Sequence, residues 1–349
     1  MIYQGKDLTG LLLRTPSSLK EDEKDLIKSF YVNTGRKTVK DIITKEKIFP
    51  FSSCIFLALG IDIEFWAKEH DRYVKRNKKI VNLLNNLFEK AKYYGCNSLA
   101  LTENFGSLLR SKSCIGCFTS SDVDIFADKI EKKDIILLLG DLGFILQNRG
   151  GRVENYSTQV SMFFNPESID KGFWINILWT TTSRAFLQQK RYNERLKKER
   201  VKALPVEGTN IKVLNNTALL YYCALHIACG HYFTLSPGYR LYVDVDRIIR
   251  NCSIDWETIA QWTKEDNAGI RIALVFYLSK YILKTPFPLN FFKEFTVNAK
   301  FINLFNFLYD ENSEKIVQRE GKIYRLYVEL SSDGNNIFRA IMSRLTNKN

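Results

Sequence analysis

The chain is predicted to be an α+β protein, a mixed β-sheet core flanked by helical N-terminal and C-terminal regions. Three observations carry this. Amphipathic helical stretches fill the first 95 residues. Short β-rich segments interleave with one apolar helix between 96 and 182. From 183 to 349 the pattern is helical almost throughout. These spans define the expected organisation: a helical region at 1–95, a β-containing core at 96–182 and a helical domain at 183–349.

Taken in order, residues 17–33 read as a helix. Ser17 or Ser18 is the expected N-cap, acidic residues fill the first turns, and Leu26, Ile27, Phe30 and Tyr31 form an apolar stripe. A second helix is expected from about Cys54 to Leu59, and a long one from Ile63 to Tyr94. In the latter, Val74, Ile80, Leu83, Leu84, Leu87 and Phe88 recur at helical spacing. Its basic residues (Arg72, Lys75, Arg76, Lys78 and Lys79) are read as a solvated face. Gly95 suits the C′ position that ends a helix. Strands are expected at 98–101, 122–126, 144–146, 159–164 and 173–179, with an apolar helix over 132–142 ending at Gly143. Residues 184–202 are basic and helical in pattern, carrying Lys190, Arg191, Arg195, Lys197, Lys198 and Arg200. After Pro205 a turn and a strand lead to helices near 215–231, 239–250, 255–264 and 268–284. Trp256, Ile259 and Trp262 repeat at helical spacing and are assigned to core.

Composition narrows the function. Hydrophobic residues make up 45% of the 349, enough for a sizeable core. No apolar run approaches the roughly 20 residues that span a bilayer. The N-terminus lacks a basic-then-apolar leader, so a cytoplasmic protein without membrane association is expected. Seven scattered cysteines argue against a disulfide framework. Cys114-Ile-Gly-Cys117 has the spacing of a metal knuckle, but no second C-x-x-C or matching His pair follows, and zinc requires four ligands. Paired free thiols in a loop are therefore expected there. Lys plus Arg exceeds Asp plus Glu by 51 − 38 = 13, which favours anionic partners.

One stretch carries the chemistry. Gly106-Ser107-Leu108-Leu109-Arg110 reads as a short loop with phosphate-binding potential, and Ser121-Asp122-Val123-Asp124-Ile125 as a strand. Side chains alternate along a strand, so Asp122 and Asp124 share one face while Val123 and Ile125 are buried on the other. Adjacent carboxylates repel, and a hard cation such as Mg²⁺ relieves that repulsion while also holding substrate phosphates. This is the outline of a metal-dependent nucleotide site.

On these residues the chain resembles the DNA polymerase beta-type nucleotidyltransferase superfamily. Within it, the chain is similar to the bacterial uncharacterised nucleotidyltransferase branch found in surface-polysaccharide and peptide-biosynthesis gene clusters. The resemblance runs from near residue 53 to about Pro288. It includes Phe105-Gly106-Ser107, Asp122-Val123-Asp124, Leu142-Gly143-Phe144, and Ile175-Asn176-Ile177-Leu178-Trp179 at a V-D-L-H-W-like strand. Leu225-His226, Arg240-Leu241 and Val243-Asp244 follow an H…RL…D pattern, and Ile254-Asp255-Trp256 a -DW- helix start.

The resemblance implies a nucleotidyltransferase-type sheet and transfer of a nucleoside monophosphate from an NTP to an acceptor. Gly106, Ser107, Arg110 and Asn176 would contact the nucleotide, with Gly106 and Ser107 against its phosphates. Asp122 and Asp124 would be the catalytic pair, holding two Mg²⁺ (or Mn²⁺) ions roughly 3.5–4 Å apart. His226, Arg240 and Asp244 would lie on the acceptor side. An ordinary intrahelical Arg240–Asp244 ion pair is the expected structural role of the latter two.

The sequence departs from the family pattern at three places. Asn176 stands where the third carboxylate is usual, Leu178 where a histidine is usual, and Phe105 where a lysine usually precedes the glycine. Glu103, Glu154 and Asp170 are the candidate substitute carboxylates, with nothing in the spacing to select one. Alternative readings are a catalytically silent nucleotide or RNA binder and an RNA- or protein-modifying toxin. The basic 184–202 segment makes a polyanionic acceptor such as RNA an expected partner.

Overall fold

The computed structural model describes residues 5–118, 120, 122–147, 160–170, 172–179, 202–234, 238–266, 268–288, 290–294 and 299–309. Five helices precede the sheet: α1 (Gly5–Leu11), α2 (Glu21–Thr34), α3 (Arg36–Lys45), α4 (Phe49–Ala58) and α5 (Ile63–Ala91). Helix α2 starts later than the serines predicted, because Ser17 and Ser18 belong to a separate 3₁₀ turn, Pro16–Ser18. Glu23 closes the helix start instead, its carboxylate accepting from the Lys20 N–H at 3.0 Å. Helix α4 begins five residues before the expected Cys54, with Pro50 in its first turn. Helix α5 ends at Ala91, and the chain then turns through Gly95 at φ +70°. Helices α1 and α3 were not foreseen. In α3 only Val39 and Ile43 are buried, an apolar stripe too narrow to register as a periodic face.

Seven strands follow: β1 (Ala100–Leu101), β2 (Asp122–Phe126), β3 (Ile145–Leu146), β4 (Val160–Asn165), β5 (Phe173–Leu178), β6 (Ala203–Pro205) and β7 (Lys212–Leu214). Helix α6 (Phe105–Arg110) lies between β1 and β2, and α7 (Lys132–Asp141) between β2 and β3. They form one mixed sheet in the order β3-β4-β5-β2-β1-β7-β6, which puts β2 in the middle. Strand β2 runs antiparallel to β1 and parallel to β5. Strands β6 and β7 extend the sheet beyond the β1 edge and come from residues past 202, so the sheet is not confined to 96–182.

The chain then returns to helices: α8 (Asn216–Leu225), a π turn at His226–Gly230, α9 (Tyr239–Asn251), α10 (Trp256–Glu265), α11 (Gly269–Leu283) and α12 (Ala299–Tyr309). Asn215 caps α8 and Asp255 caps α10, their side chains accepting from the Ala218 and Thr258 N–H groups. Trp256 packs against Phe276, Phe287 and Phe291. One continuous apolar core joins the sheet to the helices on both sides of it. The expected basic helix lies outside the described residues, apart from Lys202. No helix among the described residues is long and apolar enough to cross a membrane.

Candidate active site

Strand β2 presents its acidic face as the period of two requires. Val123 and Ile125 are fully buried on the far side, and Asp124 is itself only 9% exposed. In the parallel register, Asp124 stands opposite Asn176 on β5. The Asn176 Nδ2 donates to Asp124 Oδ1 at 2.8 Å and to Asp122 Oδ2 at 3.1 Å. One amide thus neutralises part of the repulsion between the two carboxylates. Its Oδ1 is buried with no hydrogen-bond partner. Ser120 Oγ donates to the other oxygen of Asp122, and Asn104 Nδ2 donates to Asp124 Oδ2 at 3.3 Å. Burial raises the Asp124 pKa, while the Asn176 and Asn104 amides and the Arg240 charge act against that rise.

The structure distinguishes the three substitute carboxylates. Asp170 is on the surface with its carboxylate 3.6 Å from Arg76 Nε, and Glu154 lies outside the described residues. Glu103, two residues past β1, is buried beside the pair. Its pKa is pushed well up by burial and by the negative charges of Asp124 and Asp244. His226 Nδ1 stands 3.1 Å from Glu103 Oε1 but is not aligned for a hydrogen bond, and Glu103 Oε2 has no partner. His226 in turn meets the His231 ring edge-on at 4.6 Å. Burial, then the charges of His231 and Arg240, hold His226 well below the usual imidazole range. Burial first, then Arg240 and Lys47, push His231 down to about 4. Both rings are therefore neutral at pH 7.

The Gly-Ser element is a helical turn, not a loop. Gly106 and Ser107 lie in the first turn of α6, entered through Asn104 at φ +55°. The Gly106 N–H is already used, donating to the Glu103 carbonyl at 3.1 Å. A Cβ on Gly106 would come within 3.2 Å of the Leu101 backbone, a tight approach that favours glycine where α6 meets β1. Ser107 is fully buried, and its hydroxyl donates to Asp244 Oδ1. The other Asp244 oxygen accepts from the Asn104 N–H at 3.2 Å.

Asp244 on α9 is thereby the acceptor that holds the entry to α6, with Arg247 Nη1 3.9 Å away on the next turn. Arg240, one turn before Asp244 on α9, feels the charges of Asp244 and Asp124. Arg110 is elsewhere. Its Nη1 donates to the Pro205 carbonyl at 3.3 Å, and Cys252 Sγ donates to the Arg110 carbonyl at 3.7 Å.

The structure thus brings Asp122, Asp124, Asn176, Glu103, His226 and Arg240 together, with Ser107 and Asp244 as a brace behind them. Asn104 was missed by sequence reasoning. Its signal was modest: an Asn two residues ahead of the Gly106-Ser107 step, one of the non-glycine residue types that tolerate a positive φ.

A mixed sheet with an acid pair on its middle strand and a Gly-Ser helix turn beside it defines a nucleotidyltransferase-type fold. Residues 63–284, more than half of the chain, match the family described as uncharacterised nucleotidyltransferase, and the chain belongs to that family. No curated protein and no solved structure matches the chain.

Proposed function

We propose that the protein transfers a nucleoside monophosphate from an NTP to an acceptor hydroxyl or phosphate, assisted by Mg²⁺ or Mn²⁺. The observation that supports this best is the oxygen set at β2: Asp122, Asp124 and a third buried acid, Glu103, with an unpartnered Asn176 Oδ1 beside them. Hard oxygen donors of this kind, some lacking a partner, suit a divalent cation. Asp122, Asp124 and Glu103 would hold it. When bound, the ion would neutralise charge developing on the phosphates and lower the pKa of an acceptor hydroxyl.

The chain's own groups supply the remainder. Arg240 contributes a cation that feels the charge of Asp124, suited to the triphosphate. Neutral His226 is in the protonation state needed to take the acceptor's proton. The acceptor oxygen bonds to the α-phosphorus as the bond from that phosphorus to the bridging oxygen breaks. Pyrophosphate leaves with the electron pair.

One observation favours a second reading, a silent nucleotide binder: the Asn176 amide already engages both carboxylates. The test uses α-labelled NTPs, each in turn, with Mg²⁺ or Mn²⁺ and a cell extract as acceptor pool. Wild type is compared with the Asp122→Asn, Asp124→Asn double variant. Label moved by wild type alone supports transfer, and its destination (RNA, protein, sugar or small molecule) names the acceptor class. Metal-dependent NTP binding without transfer supports the silent binder.

A further inference from the structure

The C-x-x-C of the α6–β2 loop does not stand alone. Cys54 of α4 and His70 of α5 converge on Cys114 and Cys117. Cys54 Sγ lies 3.2 Å from Cys117 Sγ and 4.0 Å from Cys114 Sγ. His70 Nε2 lies 3.3 Å from Cys114 Sγ and 3.9 Å from Cys54 Sγ. Four ligands around zinc require edges of about 3.8 Å between sulfurs and about 3.5 Å between sulfur and nitrogen. Four of the six separations lie near these values, and Cys54, His70 and Cys114 stand mutually within 4.8 Å; Cys117 touches Cys54 but lies outside that mutual set, so its thiol would close in on binding. The missing ligands were invisible in sequence because they precede the knuckle, one on each of two helices.

We propose that Cys54, His70, Cys114 and Cys117 form a structural Zn²⁺ site of Cys₃His type. The surroundings are built for it. His70 Nδ1 is 3.2 Å from Ser53 Oγ, and that hydroxyl donates to the Pro50 carbonyl at 2.8 Å. Ser53 therefore accepts the Nδ1 proton, which leaves Nε2 free to ligate. Gly116 sits under the imidazole, where a Cβ would come within 2.6 Å of Nε2, so only glycine admits the ring at this point in the knuckle. Buried Asn77 donates to the Ile115 and Phe118 carbonyls at 2.7 and 3.1 Å, pinning the loop from both ends. Arg247 Nη2 donates to the Cys117 carbonyl at 3.3 Å and brings positive charge beside a site with three thiolates. A cleft of about 220 Å³, lined in part by Cys54, Cys114, Cys117 and Arg247, gives the ion a way in.

Three thiols and an imidazole gathered around Cys54 gain little as apolar packing, and any disulfide among them leaves one thiol over. Zinc uses all four groups. The site would fasten α4 and α5 to the loop that leads into Asp122, and it stands independently of whether the acid pair is catalytic.

The test is the metal content of the full chain, purified without chelator, together with the absorption spectrum after cobalt exchange. Wild type is expected to carry one zinc per chain and, with Co²⁺, to show the d–d and thiolate charge-transfer bands of a tetrahedral sulfur-rich site. Cys54→Ser and Cys114→Ser should lose the zinc. His70→Cys should keep it with a shifted cobalt spectrum, and Cys252→Ser and the Asp122→Asn, Asp124→Asn double variant should keep it unchanged. A wild-type chain without zinc and without tetrahedral cobalt bands overturns the proposal even if the serine variants do not fold. So does a mass two hydrogens short that maps to a Cys54–Cys117 disulfide.

Discussion

Asn176 stands opposite Asp124 in the parallel β2–β5 ladder and donates its amide to that carboxylate at 2.8 Å. The same nitrogen reaches Asp122, so it occupies the place between two acids where a cation would otherwise act. Replacing Asn176 by Asp removes both hydrogen bonds and adds a like charge. We expect the metal-free protein to lose about 2–4 kcal/mol of stability, with Mg²⁺ restoring most of it. Transfer activity should rise by about tenfold as a third carboxylate joins the set. Urea unfolding with and without Mg²⁺ checks the first expectation and label transfer the second; an Asp variant as stable as wild type without metal would contradict it.

Asp122→Asn and Asp124→Asn should each lower transfer by at least about 10²-fold, more than is typical for loss of an outer-shell partner. Each should leave the metal-free melting temperature unchanged or higher, because a carboxylate beside other acids is replaced by a neutral amide. Loss of activity accompanied by loss of folding would point to a purely structural pair.

Asp244 holds the entry to α6 from 137 residues away, accepting from both Ser107 and the Asn104 N–H. Asp244→Ala leaves the Asn104 N–H without its acceptor and the Ser107 hydroxyl with only the Asn104 carbonyl, and should cost about 2–3 kcal/mol. Ser107→Ala removes one bond of the pair and should cost about 1 kcal/mol. Denaturant unfolding of the two variants orders them; the reverse order would refute Asp244 as the brace.

Glu103 has a folded pKa raised well above 4.5, first by burial and then by Asp124 and Asp244. The folded state therefore holds this proton more tightly than the unfolded chain. The resulting stabilisation is complete below the unfolded pKa and is lost as pH rises through the folded value. Metal-free wild type should weaken with rising pH over that range, and Glu103→Gln should flatten the decline. Mg²⁺ should bind more tightly as pH rises, since the ion displaces that proton, and isothermal titration at several pH values reads the slope.

His231 behaves with the opposite sign. Its pKa is lowered from 6.5 to about 4, chiefly by burial and then by Arg240 and Lys47. Its contribution to stability is full above pH 6.5 and is lost as pH falls toward about 4. His231→Asn should be less acid-sensitive than wild type in thermal melts between those limits.

The carboxylate face of β2 was legible in the sequence because a period of two is written in adjacent residues. Val123 and Ile125 had to be buried for the strand to pack, which turned Asp122 and Asp124 outward together. Helices α5 and α10 were legible for the same reason at a period of 3.6, and α7 as an apolar run, with ends displaced by a few residues. The Gly-Ser step was not read correctly. Six residues are too few to show a helical period, and the contacts that make it helical come from Asp244.

Local order thus resides in neighbouring residues: which segments are strands or helices, which face is apolar, and that two acids share a side. Distant partners depend on how those segments pack. Sheet and helix packing put Glu103 beside Asp124 and Asp170 on the surface by Arg76, turned Arg110 toward Pro205, and set Asp244 behind Ser107. Packing also brought Cys54 and His70 to a knuckle more than 40 residues further along the chain. Such pairings leave no periodic mark, because each residue's identity is compatible with many surface or core roles until a second element arrives beside it.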